Sequence, residues 1–419
     1  MLHTIQPDRH GPLGQHMANA VQACVHCGFC LAACPTYKEL VQEMDTPRGR
    51  IVLMKQVLEG TLPVAEALPH LDACLGCLAC EPACPSGVPY RDLISPFRAL
   101  AEKDRRRPLI QRLRRWMISA TLPYPKRFRI AAWLGKFGKG FAPFMPKSMR
   151  PMLDLLPAKL PAAQPLAALY PALGKRRARV ALLAGCAQQV LEPDINAATI
   201  DVLTRNGVEV VIPPAQGCCG ALAWHIGDLP SARKFARQNL RAFPADVDAI
   251  LTNAAGCGSG LHEYHLMLAG EPEAAAAEAF RHRVKDVTAF LAALGLSAPF
   301  PPQKKVRVAY QDACHLAHAQ GIRDEPRALL TAIPALELAE LADAHLCCGS
   351  AGTYNIDQPE IARRLGVSKA QAIIDTGAQL VATGNIGCMT QLRTHLAGKG
   401  IAVKHTMQIL RDAYAGRSV

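Results

Sequence analysis

Two cysteine runs with identical spacing constrain the fold of this chain more than any other feature. "CVHCGFCLAACP" begins at Cys24 and "CLGCLACEPACP" begins at Cys74, and each run closes with proline. The chain has 16 cysteines, and none of its segments reads as a signal peptide or a membrane span. Because a reducing compartment keeps thiols open, we expect a cytoplasmic protein whose cysteines bind metal rather than form disulfides.

Both runs follow the pattern C-x2-C-x2-C-x3-C-P, with which bacterial ferredoxins hold cubane iron-sulfur clusters. In that pattern three cysteines wrap one cluster, and the fourth, which precedes proline, ligates the neighbouring cluster. We therefore predict two 4Fe-4S clusters with crossed ligation. The first is assigned to Cys24, Cys27, Cys30 and Cys84, and the second to Cys74, Cys77, Cys80 and Cys34. Eight cysteines in this arrangement exceed what one tetrahedral zinc needs, so a zinc site is disfavoured.

The C-terminal part of the chain contains an internal duplication. Stretches centred on a cysteine, on a cysteine pair and on a further cysteine recur at offsets of 128, 129 and 131 residues. The first copy supplies Cys186, Cys218, Cys219 and Cys257, and the second supplies Cys314, Cys347, Cys348 and Cys388. Short apolar runs alternate with helix-like stretches in each copy, which predicts two homologous α/β domains with parallel sheets. The cysteines follow the apolar runs, so we expect them at the carboxyl ends of the strands.

These patterns predict a multidomain α and α/β protein. An α-helical ferredoxin domain is expected in residues 1–97, and a basic, proline-rich linker in residues 98–177. The two repeats are expected in residues 178–300 and 301–419.

Each repeat resembles the cysteine-rich domain with the signature C-xn-CCG-xn-C-x-x-C. That domain is familiar from the B subunit of heterodisulfide reductase, where the cysteines bind a non-cubane iron-sulfur cluster. The last cysteine of the signature is absent here, because Gly260 and Gln391 stand in its place. Four thiolates per repeat could hold a cluster, hold a single metal ion, or pack as a nest of cysteines. Three nearby histidines, His315, His318 and His345, could tune or ligate such a site, or serve as buried hydrogen-bonding groups.

The net charge of +13 comes from one segment. Between residues 98 and 150 there are 15 lysines and arginines against two acids. Leu109, Leu113, Trp116 and Met117 share a helical face opposite Arg112, Arg114 and Arg115, and Phe128, Trp133, Phe137, Phe141 and Phe144 follow among further cations. Such a segment is typical of helices on an anionic membrane surface, although packing on its own domains or on an acidic partner would explain it equally. No nucleic-acid-binding motif accompanies the charge, so no nucleic-acid partner is expected.

The chain as a whole resembles the family of glycolate oxidase (glycolate dehydrogenase) iron-sulfur subunits. The matching stretches are "CVHCGFCLAACPTY", "TPRGRIVLMKQVLEG", "HLDACLGCLACEPACPSGVPY", "GCAQQVLEPDINAAT", "GCCGALAWH", "GCGSGLHEY" and "HLCCGSAGTYN". The resemblance implies partner subunits that bear FAD and oxidise glycolate to glyoxylate. It also implies that this chain, without catalytic residues of its own, passes electrons to a membrane quinone, perhaps from the inner face of the cell membrane. The chain lacks a dinucleotide fingerprint, which agrees with a relay rather than a flavin- or NAD-binding role.

Two other functions remain open from the sequence. The same architecture could serve a relay for lactate or glycerol 3-phosphate, because the flavin partner selects the substrate. Alternatively, the repeats could carry out thiol chemistry of the heterodisulfide reductase type, with Cys218, Cys219, Cys347 and Cys348 as site residues.

Overall fold

The computed structural model describes residues 1–138, 150–157 and 159–417. Its N-terminal module is helical. The helices are α1 (Gly14–Ala23), α2 (Pro35–Leu40), α3 (Pro47–Leu58), α4 (Val64–Asp72) and α5 (Arg91–Ala101), and 3-10 helices span Pro7–Leu13 and Glu43–Asp45. The two cysteine runs occupy the loops between α1 and α2 and between α4 and α5.

Local sequence explains where these helices begin. Proline is the first residue of both α2 and α3, a position at which no backbone N–H is needed for helical bonding. The Thr46 side chain caps α3 by accepting a hydrogen bond from the Gly49 N–H at 2.9 Å. The apolar faces of α1, α3 and α5 then meet in one core that includes Met17, Met54 and Phe97.

The basic segment forms α6 (Leu109–Thr121), α7 (Pro125–Gly138) and α8 (Arg150–Asp154). The structure places the charged face of α6 inward and its apolar face outward. Arg114 is only 9% exposed, whereas Leu109 and Trp116 are 79% and 66% exposed. Phe141 and Phe144 lie outside the described residues. In the described part of the chain, no helix combines the length and hydrophobicity needed to cross a membrane.

The first repeat is built on a five-stranded sheet. Its strands are β1 (Leu169–Tyr170), β2 (Ala178–Leu182), β3 (Val208–Val211), β4 (Ala249–Thr252) and β5 (Val284–Asp286), in the order β1-β3-β2-β4-β5. Its helices are α9 (Gln188–Leu191), α10 (Asp194–Arg205), α11 (Ala221–His225), α12 (Leu229–Ala242), α13 (Ala255–His262), α14 (Tyr264–Met267), α15 (Ala274–Arg281) and α16 (Val287–Leu294). All neighbouring strands are parallel except β1, which pairs with β3 antiparallel from within the segment predicted as a linker. The predicted domain limits stay a prediction.

The second repeat forms a four-stranded parallel sheet. Its strands are β6 (Val306–Tyr310), β7 (Leu336–Ala339), β8 (Leu380–Thr383) and β9 (Ala402–His405), in the order β7-β6-β8-β9. Its helices are α17 (Cys314–Ala317), α18 (Asp324–Thr331), α19 (Tyr354–Asp357), α20 (Pro359–Asp375), α21 (Ile386–His395) and α22 (Thr406–Tyr414). The order matches that of the first sheet without β1, so the predicted fold class is confirmed.

The two repeats pack on each other through equivalent helices. Helix α10 packs on α22, and α16 packs on α18, so the pairing is approximately two-fold. One hydrophobic core spans the contact and includes Val180 of the first sheet and Val308 of the second. The Ala255 N–H donates to the Gly384 carbonyl at 3.1 Å, which joins the starts of α13 and α21. The carboxyl ends of the two sheets therefore face a common space.

Candidate functional site

Two neighbouring cavities in the N-terminal module are lined by the cysteines of the two runs. The first cavity is lined by Cys24, Cys27, Cys30 and Cys84. The second cavity is lined by Cys34, Cys74, Cys77 and Cys80. Cys80 and Tyr90 belong to the walls of both, so the cavities adjoin. Cys34 thus lies with the second run and Cys84 with the first.

The cavities suit a bulky group better than a single ion. Within the described residues, no three His, Cys, Asp or Glu side chains converge on one ion position. Each cavity is instead a wider ring of four thiols, which is what a multi-iron cluster requires.

The loops around both cavities share an unusual backbone conformation. His26 and Gly28 in the first loop, and Gly76 and Leu78 in the second, have φ between 58° and 86°. The non-glycine members cost about 1–3 kcal/mol each unless their surroundings hold them. This double left-handed turn curls each loop inward, and the Gly76 N–H donates to the Cys74 sulfur at 3.4 Å. The chain therefore presents sulfurs, with supporting N–H groups, to the centre of each cavity.

A buried arginine supplies positive charge to the second cavity. Arg50 is 1% exposed, and its guanidinium donates to Thr36 Oγ1 at 3.0 Å and to the His70 carbonyl at 2.7 Å. It also pairs with Asp45 at 3.4 Å and lies 3.8 Å from the Cys34 sulfur. Burial alone favours the neutral thiol, but the charges of Arg50 and then Arg98 leave the pKa of Cys74 below its usual value. The thiolate that ligates metal is thereby favoured at this position.

All eight cysteines of the repeats line one cavity of about 490 Å³, here called the shared cavity. The sequence predicted each set at its own sheet edge, and the two-fold packing merges the edges. The floor is formed by both repeats, and the walls include Cys74 and Arg98 of the N-terminal module and Ile118 of α6. The thiols are contributed by Cys186, Cys218, Cys219, Cys257, Cys314, Cys347, Cys348 and Cys388.

Within each repeat the four thiols contact one another in a chain. Cys218 Sγ lies 3.5 Å from Cys186 Sγ in the first repeat. The second cysteine of each pair accepts bonds from two neighbouring thiols, which holds the pKa of Cys219 and Cys348 well below the usual value. The donating thiols, such as Cys218 and Cys347, have their pKa raised for the same reason. Each repeat can thus present thiolate at its centre.

The position of the missing fifth cysteine differs between the repeats. A Cβ added at Gly260 would lie 2.4 Å from the Ala221 Cβ, so the first repeat has no room for a side chain there. In the second repeat Gln391 fills the position, and its amide donates to the Ala362 carbonyl at 3.1 Å. The nearby histidines make hydrogen bonds: His315 bonds to the Gly76 carbonyl at 3.1 Å and His318 to the His345 carbonyl at 2.8 Å.

The second cavity abuts the shared cavity on the side of the second repeat. Cys77 and Cys347 belong to one buried cluster, against which Cys314 packs. The Tyr354 hydroxyl, from the second repeat, donates to the Ala73 carbonyl at 2.9 Å. The junction therefore links the two kinds of thiol site without intervening solvent.

Arginines of the basic segment line the outer part of the shared cavity and are paired there. Arg105 contacts Asp72, Arg107 pairs with Glu102 at 2.8 Å, and Arg114 contacts Asp357. The carboxylates on the folded domains draw this charged face inward, which leaves the apolar face of α6 to solvent.

Three buried residues near the thiols were not predicted: Arg50, Tyr354 and Lys369. A signal did exist for Lys369, because it stands midway between Leu365 and Ile373 on the buried face of α20. A lysine on the apolar stripe of a helix indicates a specific buried partner.

Models of two protein families match the chain. A 4Fe-4S dicluster domain matches residues 20–88, and a cysteine-rich domain matches residues 180–262 and again 308–393. The two matches to the cysteine-rich domain confirm the predicted duplication.

Several known proteins are similar over most of the chain. The glycolate oxidase iron-sulfur subunit of Escherichia coli is 39% identical, over 94% of this chain and 94% of that protein. The probable glycolate oxidase iron-sulfur subunit of Bacillus subtilis is 37% identical, over 93% of each. Lactate utilization protein A of Oceanobacillus iheyensis is 30% identical, over 57% of this chain and 98% of that protein.

Proposed function

The chain belongs to the family of glycolate oxidase iron-sulfur subunits, and on that premise we propose that it relays electrons within a complex that oxidises glycolate to glyoxylate. FAD-bearing partner subunits would oxidise the substrate, and this chain would pass the electrons toward a membrane quinone. The observation that carries the proposal is the row of adjoining cavities. Two four-thiol cavities share Cys80, and the second adjoins the shared cavity of the repeats.

We assign one 4Fe-4S cluster to each four-thiol cavity. Cys24, Cys27, Cys30 and Cys84 would hold the first, and Cys34, Cys74, Cys77 and Cys80 the second. Such clusters exchange one electron at a time, which a flavin partner can match to a two-electron oxidation. The chain itself excludes water with Tyr90 between the cavities and offsets the buried negative charge with Arg50.

The substrate can be tested on the complex purified from its native cells. Anaerobic addition of glycolate should reduce the clusters, followed by loss of visible absorption, and lactate should do so about 10–200-fold more slowly. One additional methyl group in a substrate pocket is worth roughly that factor. Faster reduction by lactate or glycerol 3-phosphate would assign the relay to that substrate instead. Similarity to lactate utilization protein A makes lactate the necessary comparison.

The purified chain alone provides the test of the other class of function. Reduction of a heterodisulfide by the anaerobically purified subunit would replace the relay by thiol chemistry at the repeats.

The exposed apolar face of α6 and α7 is proposed to rest on an anionic membrane surface. Leu109, Leu113 and Trp116 of α6, and Trp133 and Phe137 of α7, are exposed, and the exposed cations Lys126, Arg127 and Lys136 lie among them. Apolar side chains can enter the interface while flanking cations attract acidic headgroups. The paired arginines at the shared cavity are unavailable for this contact, so the apolar residues are the better target for mutation.

The double substitution Leu113→Ser and Trp116→Ser should weaken binding to vesicles containing anionic lipid by at least about tenfold. Full burial of one such side chain is worth about 1.5–3 kcal/mol. Co-sedimentation of the complex with the vesicles measures the effect. Val367→Ser is the matched control, since Val367 is also half exposed but lies on α20. Equal binding of the double variant and the control would return α6 to contact with a protein partner.

A further inference from the structure

The two repeats can be superimposed residue by residue around their cysteine pairs. A Cβ added at Gly220 would meet Ala232 and Phe235, and one added at Gly349 would meet Ala362 and Leu365. Both steps are 130 residues, so α12 and α20 pack on the cysteine pairs in the same register. In that register Asn239 of the first repeat corresponds to Lys369 of the second.

This equivalent position is neutral in one repeat and cationic in the other. Lys369 is 3% exposed, its ammonium donates to the Asp343 carbonyl at 2.9 Å, and the charges of Cys348 and Cys347 act on it. Asn239 instead donates to the Cys218 carbonyl at 2.9 Å and to the Tyr264 hydroxyl at 2.8 Å. The second repeat therefore places a buried positive charge beside its thiols, and the first repeat does not.

A second position adds to the contrast. Six residues after Cys257 the first repeat has Glu263, and six residues after Cys388 the second repeat has Thr394. Glu263 is 1% exposed and accepts a hydrogen bond from the Trp224 indole at 2.6 Å. Burial opposes its charge, but bonding to His225 leaves its pKa below the usual value, so it is a carboxylate. Its neighbour Tyr264 donates to the Cys219 carbonyl at 3.0 Å, which places this negative charge next to the first repeat's thiols.

The repeats also differ in their distance from the second four-thiol cavity. Cys347 packs in the same buried cluster as Cys77, and the charge of Cys314 adds to burial in raising the pKa of Cys77. The thiols of the first repeat pack in another buried cluster, which among the described residues contains none of the eight N-terminal cysteines.

From these differences we infer that only the second repeat holds a redox-active iron-sulfur group, bound by Cys314, Cys347, Cys348 and Cys388, and that electrons enter the shared cavity through it. Four thiolates with iron leave a net negative charge, which is costly to bury without a cation such as Lys369. Each transfer from the second 4Fe-4S cluster moves one electron and no atoms. The first repeat's thiols are part of the packed core. The inference rests on the proposed relay function and specifies its route.

Iron analysis of matched serine variants tests the assignment in the anaerobically purified full-length chain. The wild type should contain about twelve irons, eight in the N-terminal module and four in the second repeat. Cys347→Ser should lose about four of them, and its equivalent Cys218→Ser should lose none. Electron paramagnetic resonance should detect both N-terminal clusters in all three proteins. Loss of iron from Cys218→Ser, or equal iron in both variants and wild type, would overturn the inference.

The charge of Lys369 can be tested without removing a ligand. Lys369→Asn introduces the residue of the first repeat and should shift the potential of the second-repeat group downward in a redox titration followed by electron paramagnetic resonance. Arg363→Asn, which removes an exposed cation from the same helix, should leave that potential unchanged. Equal potentials for Lys369→Asn and wild type would contradict the electrostatic role.

The outcomes separate this inference from the proposed function. A wild type with about eight irons and both N-terminal signals would keep the relay and refute the second-repeat group. Absence of the N-terminal signals from the wild type would refute the relay itself.

Discussion

Replacing Cys34 by serine is expected to remove the cluster of the second cysteine run and to spare the cluster of its own run. Cys34 is four residues from Cys30 in sequence, yet its sulfur faces the second cavity, 3.3 Å from Thr36 Oγ1 and 3.8 Å from Arg50. Serine is a poor ligand for iron, so the second cavity would keep only three thiolates. The variant should lose about four irons.

The identity of the lost cluster can be read from paired variants. The resonance spectrum that survives in Cys34→Ser should match the spectrum that survives in Cys77→Ser. In the same way, Cys84→Ser should match Cys27→Ser. If Cys34→Ser instead matches Cys27→Ser, each run binds its own cluster and the crossed assignment is wrong.

Replacing Arg50 by methionine should be the most destabilising single change in the N-terminal module outside the cysteines. The substitution removes the buried partner of Asp45 and the donor to Thr36 and to the His70 carbonyl. Loss of one member of a buried ion pair costs about 3–5 kcal/mol, because the other charge stays buried without compensation. The shift in the denaturant midpoint for loss of visible cluster absorption measures this effect.

Arg48→Met is the matched control for that experiment. Arg48 lies two residues away and pairs with Glu43 at 2.7 Å, but both side chains are largely accessible to water. An ion pair of this kind contributes about 0–1 kcal/mol. Equal midpoints for the two variants would mean that the Arg50 charge is not needed to hold the second cavity together.

Much of the fold could be predicted because the relevant signals are local. Apolar runs such as Val180–Leu183 and Val208–Ile212 correspond to β2 and β3, with differences of one or two residues at the ends. The duplication could be detected because the cysteines serve as fixed markers when the remaining sequence diverges. The two families found over residues 20–88, 180–262 and 308–393 agree with that prediction.

The shared cavity could not be predicted from either repeat alone. Each repeat by itself predicts thiols at the edge of its own sheet, but the merging of the two edges depends on α10 packing against α22 and α16 against α18. Those contacts join residues about 200 apart in the sequence, and no local pattern encodes them. The closed fifth position at Gly260 has the same origin, since the Ala221 side chain that fills it belongs to a different helix.

The orientation of α6 was equally beyond the sequence. Helical periodicity identified an apolar face and a cationic face but gave no reason to choose which one meets the domains. Asp357 lies more than 200 residues downstream and contacts Arg114, which turns the charged face inward. The exposed apolar face is a consequence of that distant carboxylate.

The sequence by itself determined which residues supply sulfur, the order of strands and helices, and the family. These depend on ligand type, spacing and periodicity, all of which are properties of short segments. The tertiary structure alone decided which thiols share a cavity and which cations, such as Arg50 and Lys369, lie beside them. The physical reason is that burial and electrostatic interaction act through space, between groups that the chain brings together only when it folds.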